Sequence, residues 1–437
     1  MIRIQKTQTA SFMMLITAAA CAVVAGVSFL LAENYDWTYG FLLAACLIVL
    51  LSFGAAKRPA VTAAILIAFA ARLAMFLYCT ITNDADADYY AVYAARYAAM
   101  PLKDVFANMP KSAYWYSWIV SFLFRIFGEC FTPVRAMNFA LSMCCVYITT
   151  DLVDTVYQDT QITKCAAMWM ALFPNLIRFS SYFANREPML MLFMLLYLKY
   201  SYRYYEDCKL GSLLLSILFL IPAMILHTSM IAMMALTVLI ILTRKSRIAS
   251  SKIGILAKIV LAAGMVMVFA YMLVNDIGTE KFGMSGGVEL SIAGISRVGN
   301  MSAQGRAAYL QGFTSKNPWM LLLYLPVRIV YFLFTPFVWM VSEAVDLLGL
   351  FDALLYMFLT VYVFKKMRAQ RRTPEKSRAD RFVILLLLLL IIMVTMFAAV
   401  TSNYGTAIRH RCKLFPIILL IIVDELQKRK VRIRLKK

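Results

Sequence analysis

The chain has 437 residues, 62% of them hydrophobic, and a formal net charge of +21 at pH 7. This apolar share is far above that of a soluble domain, and apolar runs long enough to cross about 30 Å of hydrocarbon recur from end to end. The basic residues lie in short segments between these runs, as the positive-inside rule expects. The charge therefore favours membrane lipids as partners and argues against nucleic acid.

Two spans are predicted in the first part of the chain, at 9–32 and 39–55. The N-terminus is basic, at Arg3 and Lys6, and is therefore placed in the cytoplasm. The apolar run that follows has no convincing cleavage site, so we interpret it as a retained span rather than a signal peptide. A third span at 61–80 leads outward to an acidic sequence.

The segment 84–128 begins too polar to span a membrane. Tyrosines recur at helical spacing among alanines from Tyr89 to Tyr97, which indicates an amphipathic helix at the membrane interface. A short apolar piece then runs from Trp115 to Phe127, and we interpret it as a half-inserted helix, with a full span as the alternative. The first large external loop is thus expected to hold interfacial helices.

From residue 133 onward the apolar runs are regular. The predicted spans are 133–155, 163–182, 188–205, 211–226, 228–243, 254–274, 344–364, 382–400 and 414–425. The apolar segment 318–341 is interrupted by Pro326 and Pro336. If it crossed the membrane, the basic cluster that starts at Lys365 would lie outside, so we predict a re-entrant hairpin near 318–341. The prediction is an all-α polytopic membrane protein with about 12 transmembrane helices and both termini in the cytoplasm.

The first candidate site is the acidic run Asp84, Asp86 and Asp88, placed at the extracytoplasmic end of a span. Carboxylates this close in sequence repel one another, so at least one is expected to hold a proton or to bind a cation. Such a group suits a general base, or a divalent metal such as Mg or Mn held by Asp86 and Asp88. The alternative is an ordinary solvated helix N-terminus, capped by Asn83 or Asp84.

Two further candidates are polar residues at the ends of apolar runs. Arg186 and Glu187 are placed at the outer end of a span, close to the acidic run, with a simple helix-end ion pair as the alternative. His227 lies between two apolar runs, where polar groups are commonly functional. A helix-end histidine satisfied by water is the alternative for His227.

The last candidate is the basic motif, residues 401–413. It contains four possible cations: Arg409, His410, Arg411 and Lys413. The flanking predicted spans place this motif outside, against the positive-inside rule, so its position needs a reason. Arginine pairs bidentately with phosphate, lysine supplies a point charge, and Gly405 lets the backbone approach a ligand closely. We expect a lipid phosphate or pyrophosphate, with side chains that snorkel to ordinary headgroups as the alternative.

The order of these motifs resembles the GT-C superfamily of membrane glycosyltransferases, especially its protein mannosyltransferase and aminoarabinose transferase branch. The resemblance covers about residues 65 to 245 and the basic motif. The residues that carry it are Asp86-x-Asp88-x-Tyr90, Phe127-Gly128, Val134-Arg135-Ala-Met-Asn138, Phe173-Pro174 and Arg186-Glu187. Two extra spans before the acidic run depart from the family pattern. The lack of a large C-terminal soluble domain argues against the oligosaccharyltransferase branch.

The resemblance implies a single transmembrane domain over 1–437. Its parts are 1–60 with two extra spans, 61–274 as the GT-C-like catalytic core, 275–343 with an external loop and the re-entrant segment, and 344–437 with the C-terminal spans and the basic motif. It also implies site residues: Asp86, then Asp88, as catalytic base; Glu187 at a second acidic position; Arg409, His410, Arg411 and Lys413 on the donor phosphate; and Asp84, Tyr90, Arg186, His227 and Tyr404 in support.

The implied reaction transfers a sugar from a polyprenyl-phosphate-linked donor to a lipid- or glycan-linked acceptor outside the cytoplasm. An acceptor hydroxyl would attack the anomeric carbon while a carboxylate takes its proton, and the cations would stabilise the departing phosphate. One alternative is a polymerase or ligase of lipid-linked oligosaccharide units that works through His410. A transporter or flippase is the other, and it would show paired broken helices and charges along a midplane path.

Overall fold

The computed structural model describes most of the chain between residues 59 and 434. The described residues are 59–78, 85–110, 114–181, 184–243, 303, 305–311, 318–372 and 377–434, with 19, 23, 26, 40, 42–45, 259–260, 263–264 and 267. Over these residues the chain is 88% helical and contains no strand, which confirms the all-α class. The chain packs as two units, Met1–Leu196 and Tyr197–Lys437.

The first unit holds the acidic run and the aromatic helices that follow it. Here α2 packs on α4, and α1 packs on α5, α6 and α7. The helix bounds are α1 Pro59–Tyr78, α2 Ala85–Ala99, α3 Leu102–Ala107, α4 Trp115–Phe127, α5 Phe131–Tyr157, α6 Thr160–Leu172 and α7 Pro174–Ser181. Helix α8, Glu187–Asp207, begins in this unit and ends in the second. The tyrosine-rich helix and the apolar piece after it are thus confirmed as α2 and α4.

The second unit holds the basic motif. Helix α13 packs on α10, α11 and α14, and α12 packs on α11 and α14. The helix bounds are α9 Leu210–Leu226, α10 Ala232–Thr243, α11 Pro318–Phe334, α12 Ala344–Arg372, α13 Arg378–Val400 and α14 Tyr404–Arg434, with 3-10 turns at Thr228–Ile231 and Val338–Met340. The basic motif therefore lies mostly on the first turns of α14, which is far longer than the predicted span 414–425.

Three helices in the described part of the chain are long and apolar enough to cross a membrane: α5, α12 and α13. This supports a membrane protein. Five apolar helices of 10–17 residues accompany them: Val61–Leu77, Trp115–Phe127, Leu210–Leu226, Ser229–Thr243 and Leu322–Phe334. The total of about twelve spans and the side on which each terminus lies remain predictions. The predicted spans 9–32, 39–55 and 254–274 fall almost entirely outside the described residues.

Two proline positions differ from the prediction. The predicted span 163–182 is divided, because α6 ends at Leu172 and α7 begins at Pro174. Proline suits the first position of a helix but disfavours the helical conformation of the residue before it, and Phe173 is extended. Conversely, the predicted break at Pro326 is wrong, since α11 continues through it to Phe334. The helix ends only at Phe334, before Pro336, and the re-entrant hairpin itself stays a prediction.

Buried arginines satisfy the carbonyl groups that these helix ends expose. We call them the capping arginines: Arg72, Arg135, Arg328 and Arg411, each at most 4% exposed. In the first unit Arg72 donates to the carbonyls of Met170 and Ala171 at the end of α6, and Arg135 donates to a carbonyl in the last turn of α1. In the second unit Arg328 and Arg411 do the same at the ends of α13 and α11. A guanidinium also balances the negative end of the helix dipole.

Close packing of α12 yields a first prediction. A Cβ added at Gly349 would lie 3.0 Å from Cδ1 of Ile408 and 3.1 Å from two ring carbons of Pro336. Gly349→Ala should therefore lower stability by about 1–3 kcal/mol, measured as a lower thermal unfolding midpoint in detergent. Gly211→Ala is the control, because nothing lies within 4 Å of its added Cβ and alanine favours helix. Equal midpoints for the two variants would contradict this packing.

Candidate functional site

The acidic run overlaps the start of α2, and the structure describes only part of it. Asp84 and the side chain of Asp86 fall outside the described residues, while Asp86 itself belongs to the first turn of the helix. Asp88 is exposed, and Tyr90, one turn after Asp86, is buried. No three His, Cys, Asp or Glu side chains in the described part of the chain are placed to hold one metal ion. The side chain of Asp86 lies outside the described residues, so a metal held by Asp86 and Asp88 stays a prediction, and no step below depends on a metal.

Polar side chains from four helices of the first unit pack together in what we call the Glu187 cluster. Its members are Tyr90, Tyr116, Asn138, Asn185, Arg186 and Glu187, all at most 5% exposed. The rings of Tyr90 and Tyr116 meet edge to face with their centroids 5.4 Å apart. The guanidinium carbon of Arg186 lies 5.7 Å from the centroid of the Tyr90 ring. The cluster therefore joins the acidic helix α2 to the start of α8.

Asn138 of α5 is the centre of the hydrogen bonds in this cluster. Its Nδ2 donates to the backbone carbonyl of Asn185 at 2.6 Å, and its side chain exchanges hydrogen bonds with the Tyr116 hydroxyl at 3.2 and 3.3 Å. Because Asn185 stands two residues before Glu187, Asn138 fixes the chain at the point where α8 begins. Sequence reasoning noted Asn138 only as part of the resemblance and did not single out Tyr116.

Glu187 is the first residue of α8 and is 1% exposed. A carboxylate is stabilised at a helix N-terminus by the free backbone N–H groups and the helix dipole. Its burial is nevertheless costly, and buried ionisable groups in membrane proteins are usually functional. The predicted helix-end pair is thus located at a helix start, inside a packed polar cluster rather than at a solvated surface.

A second prediction concerns Asn138. Asn138→Leu removes the donor from the Asn185 carbonyl and from Tyr116, and should lower stability by about 1–3 kcal/mol. Tyr116→Phe removes only the hydroxyl of a longer hydrogen bond and should cost about 1 kcal/mol. Thermal unfolding of both variants measures the difference. Tyr89→Phe, which alters a tyrosine that is 45% exposed, is the control and should leave the midpoint near that of the wild type.

In the second unit the basic motif begins with a capped helix. The side-chain oxygen of Asn403 accepts hydrogen bonds from the backbone N–H groups of Gly405 at 2.9 Å and Thr406 at 3.3 Å, which is an N-cap. A Cβ on Gly405 would lie 3.2 Å from that oxygen. The glycine at this position therefore leaves room for the cap, which is a local reason for its small size apart from ligand binding.

Arg411 is fully buried and its guanidinium is already engaged. It donates to the carbonyls of Phe332, Leu333 and Thr335 at 3.1, 2.9 and 2.8 Å. It also forms an ion pair with Asp352 at 2.7 Å, and that carboxylate is 4% exposed. These contacts give Arg411 a structural part as a capping arginine. Arg409, two residues earlier on the same helix, is only half-buried.

His410 and Lys413 are joined to His227 in what we call the histidine cluster, which also includes Phe397. Nζ of Lys413 lies 3.0 Å from Nδ1 of His410. The His410 ring stacks on Phe397 with centroids 4.6 Å apart and meets His227 edge to face at 5.1 Å. The second unit thus brings His227 together with two predicted site residues, His410 and Lys413, that lie far from it in the sequence.

A short segment of the predicted external loop is attached beside the N-cap. Residues 305–311 pair with the chain before α14 through an antiparallel bridge between Ala308 and Asn403. Arg306 forms an ion pair with Asp346 at 2.5 Å, and the Tyr404 hydroxyl donates to the same carboxylate at 2.9 Å. The hydrogen bond to Asp346 raises the pKa of Arg306 above its ordinary value. Sequence reasoning missed Arg306 and Asp346, since no local motif links them.

The predicted site residues therefore fall into separate groups. Tyr90, Arg186 and Glu187 come together in the first unit, and His227, His410 and Lys413 come together in the second. Tyr404 joins Asp346, while Arg411 joins Asp352. No protein-family model matches the sequence, and no curated protein and no solved structure matches it either.

Proposed function

We propose that this protein is a membrane glycosyltransferase. It moves a sugar from a polyprenyl-(pyro)phosphate donor to a lipid- or glycan-linked acceptor on the extracytoplasmic face. The observation that carries the proposal is the packing of the acidic helix α2, through Tyr90, on Arg186 at the start of α8. The two acidic positions implied by the GT-C resemblance, Asp86 and Glu187, thereby belong to elements of one packed unit.

The chemistry needs a base for the acceptor hydroxyl. Asp86, in the first turn of α2, is the proposed base, with Asp88 as the second choice. Arg186 contacts that helix through the ring of Tyr90, and the buried Glu187 follows it as the first residue of α8. A positioned carboxylate that takes a proton in the transition state contributes about 100- to 10,000-fold to the rate.

The chemistry also needs cations for the departing phosphate. Arg409 and His410 are the proposed phosphate ligands, and hydrogen-bond donors and charges of this kind stabilise the negative charge that develops on the leaving group. Lys413 is fully buried and is proposed to act on the phosphate through His410. Arg411 is assigned to their support, because its donors are taken by the end of α11 and by Asp352.

One observation favours a second candidate, a polymerase or ligase of lipid-linked oligosaccharide units. His410, which would be the base in that reaction, lies in contact with Lys413 and His227. The two functions differ in their essential residue. Asp86→Ala should spare a polymerase or ligase while His410→Ala abolishes it, whereas the glycosyltransferase requires Asp86.

The deciding experiment incubates the purified full-length protein with a panel of labelled donors and with a lipid and glycan extract of the cell envelope as the source of the acceptor. The panel contains single sugars on polyprenyl phosphate, single sugars on polyprenyl pyrophosphate, and an oligosaccharide repeat unit on polyprenyl pyrophosphate. Consumption of a single-sugar donor with release of the polyprenyl carrier is the expected result. The proposal fails if no donor is consumed and Asp86→Asn leaves the surface glycans of the cell unchanged. Consumption of the repeat unit alone would favour the second candidate.

A further inference from the structure

The protonation of His227 follows from its contacts. Its Nδ1 lies 3.3 Å from the backbone nitrogen of Ser229 and 2.7 Å from the Ser229 hydroxyl. A backbone N–H only donates, so Nδ1 of His227 accepts and carries a lone pair. A neutral imidazole that accepts at Nδ1 has its proton on Nε2. The fold therefore fixes His227 as the Nε2–H tautomer.

The same reasoning applies to His410 and Lys413. Nδ1 of His410 lies 3.0 Å from Nζ of Lys413. A single proton lies between these two nitrogens, because two protons there would repel each other. We assign that proton to the lysine, because an amine is a stronger base than an imidazole and burial lowers the proton affinity of both cations. Lysine as an ammonium is a donor only, so Nδ1 of His410 accepts and its own proton lies on Nε2. Stacking on Phe397 holds the ring in this orientation.

We propose that Lys413 is a positioning residue that fixes His410 as the neutral Nε2–H tautomer, so that His410 acts on the leaving phosphate as a hydrogen-bond donor. This inference rests on the proposed function, because the phosphate is that of the lipid-linked sugar donor. No proton is transferred by His410 in this role. Its N–H stabilises the charge that the phosphate oxygen gains as the glycosidic bond breaks.

This assignment separates the two candidate functions by chemistry. A general base at position 410 would need a lone pair on Nε2 to take the proton of the acceptor hydroxyl. Nε2 already carries a proton, and the lone pair on Nδ1 is engaged by Lys413. The base must then be another group. In the proposed glycosyltransferase that group is Asp86, whereas the polymerase or ligase hypothesis names no base other than His410.

The chain has only two histidines, which makes the test direct. Full-length protein labelled with nitrogen-15 histidine is placed in lipid nanodiscs, and long-range correlation spectra between ring nitrogens and ring protons are recorded at neutral pH. His227→Gln leaves the signals of His410 alone and assigns them. We expect Nδ1 of His410 to show the nitrogen-15 chemical shift of an unprotonated ring nitrogen, and Nε2 to show that of a protonated one.

Variants of Lys413 then test its role in fixing the tautomer of His410. Lys413→Met should remove the single-tautomer pattern of His410, and Lys413→Arg should restore it, because arginine also only donates. Lys428→Met, a mostly exposed lysine on the same helix, is the control and should leave the spectrum unchanged. In preparations that turn over a donor, Lys413→Met should lower kcat more than it raises KM.

Two results would overturn the inference. One is a wild-type His410 that carries its proton on Nδ1 or is doubly protonated. The other is an unchanged His410 spectrum in Lys413→Met. If Lys413→Met does not fold, the spectrum of His227→Gln still decides the tautomer. The spectra need no sugar donor, so their outcome is separate from that of the donor panel, whose failure would remove the glycosyltransferase itself.

Discussion

Replacing Arg411 by leucine is expected to lower the stability of the protein by about 3–5 kcal/mol, because it breaks a buried ion pair and uncovers a helix end at once. The guanidinium is fully buried, and it donates to three carbonyls at the end of α11 and to the carboxylate of Asp352. Leucine offers no donor to any of them. A large fall of the thermal unfolding midpoint in detergent, with a lower yield of folded protein, is the measurable result.

Two companion variants make this prediction specific. Arg411→Leu combined with Asp352→Leu should recover part of the lost stability, because the buried carboxylate is removed together with its partner. Arg409→Leu, two residues away on the same helix, should keep the wild-type midpoint and yet lower donor turnover, because Arg409 is half-buried and proposed as a phosphate ligand. If Arg409→Leu unfolds as readily as Arg411→Leu, the division between a structural and a functional arginine is wrong.

Asp86→Asn is expected to lower the rate of sugar transfer by about 100- to 10,000-fold while leaving the protein folded. Asparagine keeps the size and the helix-capping ability of aspartate but takes up no proton from the acceptor hydroxyl. The rate of polyprenyl carrier release from a consumed donor measures the effect, and the thermal unfolding midpoint confirms the fold.

Asp88→Asn is the matched control for this prediction. It changes an exposed carboxylate two residues along the same helix, and its effect on the rate should be much smaller. A larger loss in Asp88→Asn than in Asp86→Asn would exchange the proposed roles of the two residues. Wild-type activity in both variants, combined with loss in His410→Ala, would instead favour the polymerase or ligase.

Hydrophobic periodicity predicted the long helices well, because a run of apolar residues needs only local information to be recognised. Helices α5 and α13 begin within a few residues of their predicted spans. Local signals were less reliable at prolines. A helix ends just before Pro174, whereas helix α11 continues through Pro326. The difference depends on how the backbone groups near each proline find hydrogen-bond partners in the fold. Sequence alone does not show which arginine reaches which helix end.

The candidate site shows the same limit. Residue type singled out Glu187, His227 and His410, since ionisable groups inside apolar sequence are rare. Their partners were not predicted, because they come from other helices: Asn138 is 47 residues from Asn185, and Arg306 is 40 residues from Asp346. Such contacts follow from tertiary packing and leave no short motif. The separation of Arg411 from its neighbours Arg409 and His410 likewise required knowledge of burial.

The capping arginines also affect how the topology of this protein should be mapped. Experiments that delete or add positive charges locate loops by watching reporter tags change sides, on the assumption that each cation faces water or lipid headgroups. Arg72, Arg328 and Arg411 face backbone carbonyls inside the protein. Deleting one of them would disturb folding and could imitate an inverted loop. Charge scanning of this chain should therefore be confined to exposed cations such as Lys428. Deleting such a residue changes the local charge without removing a buried contact.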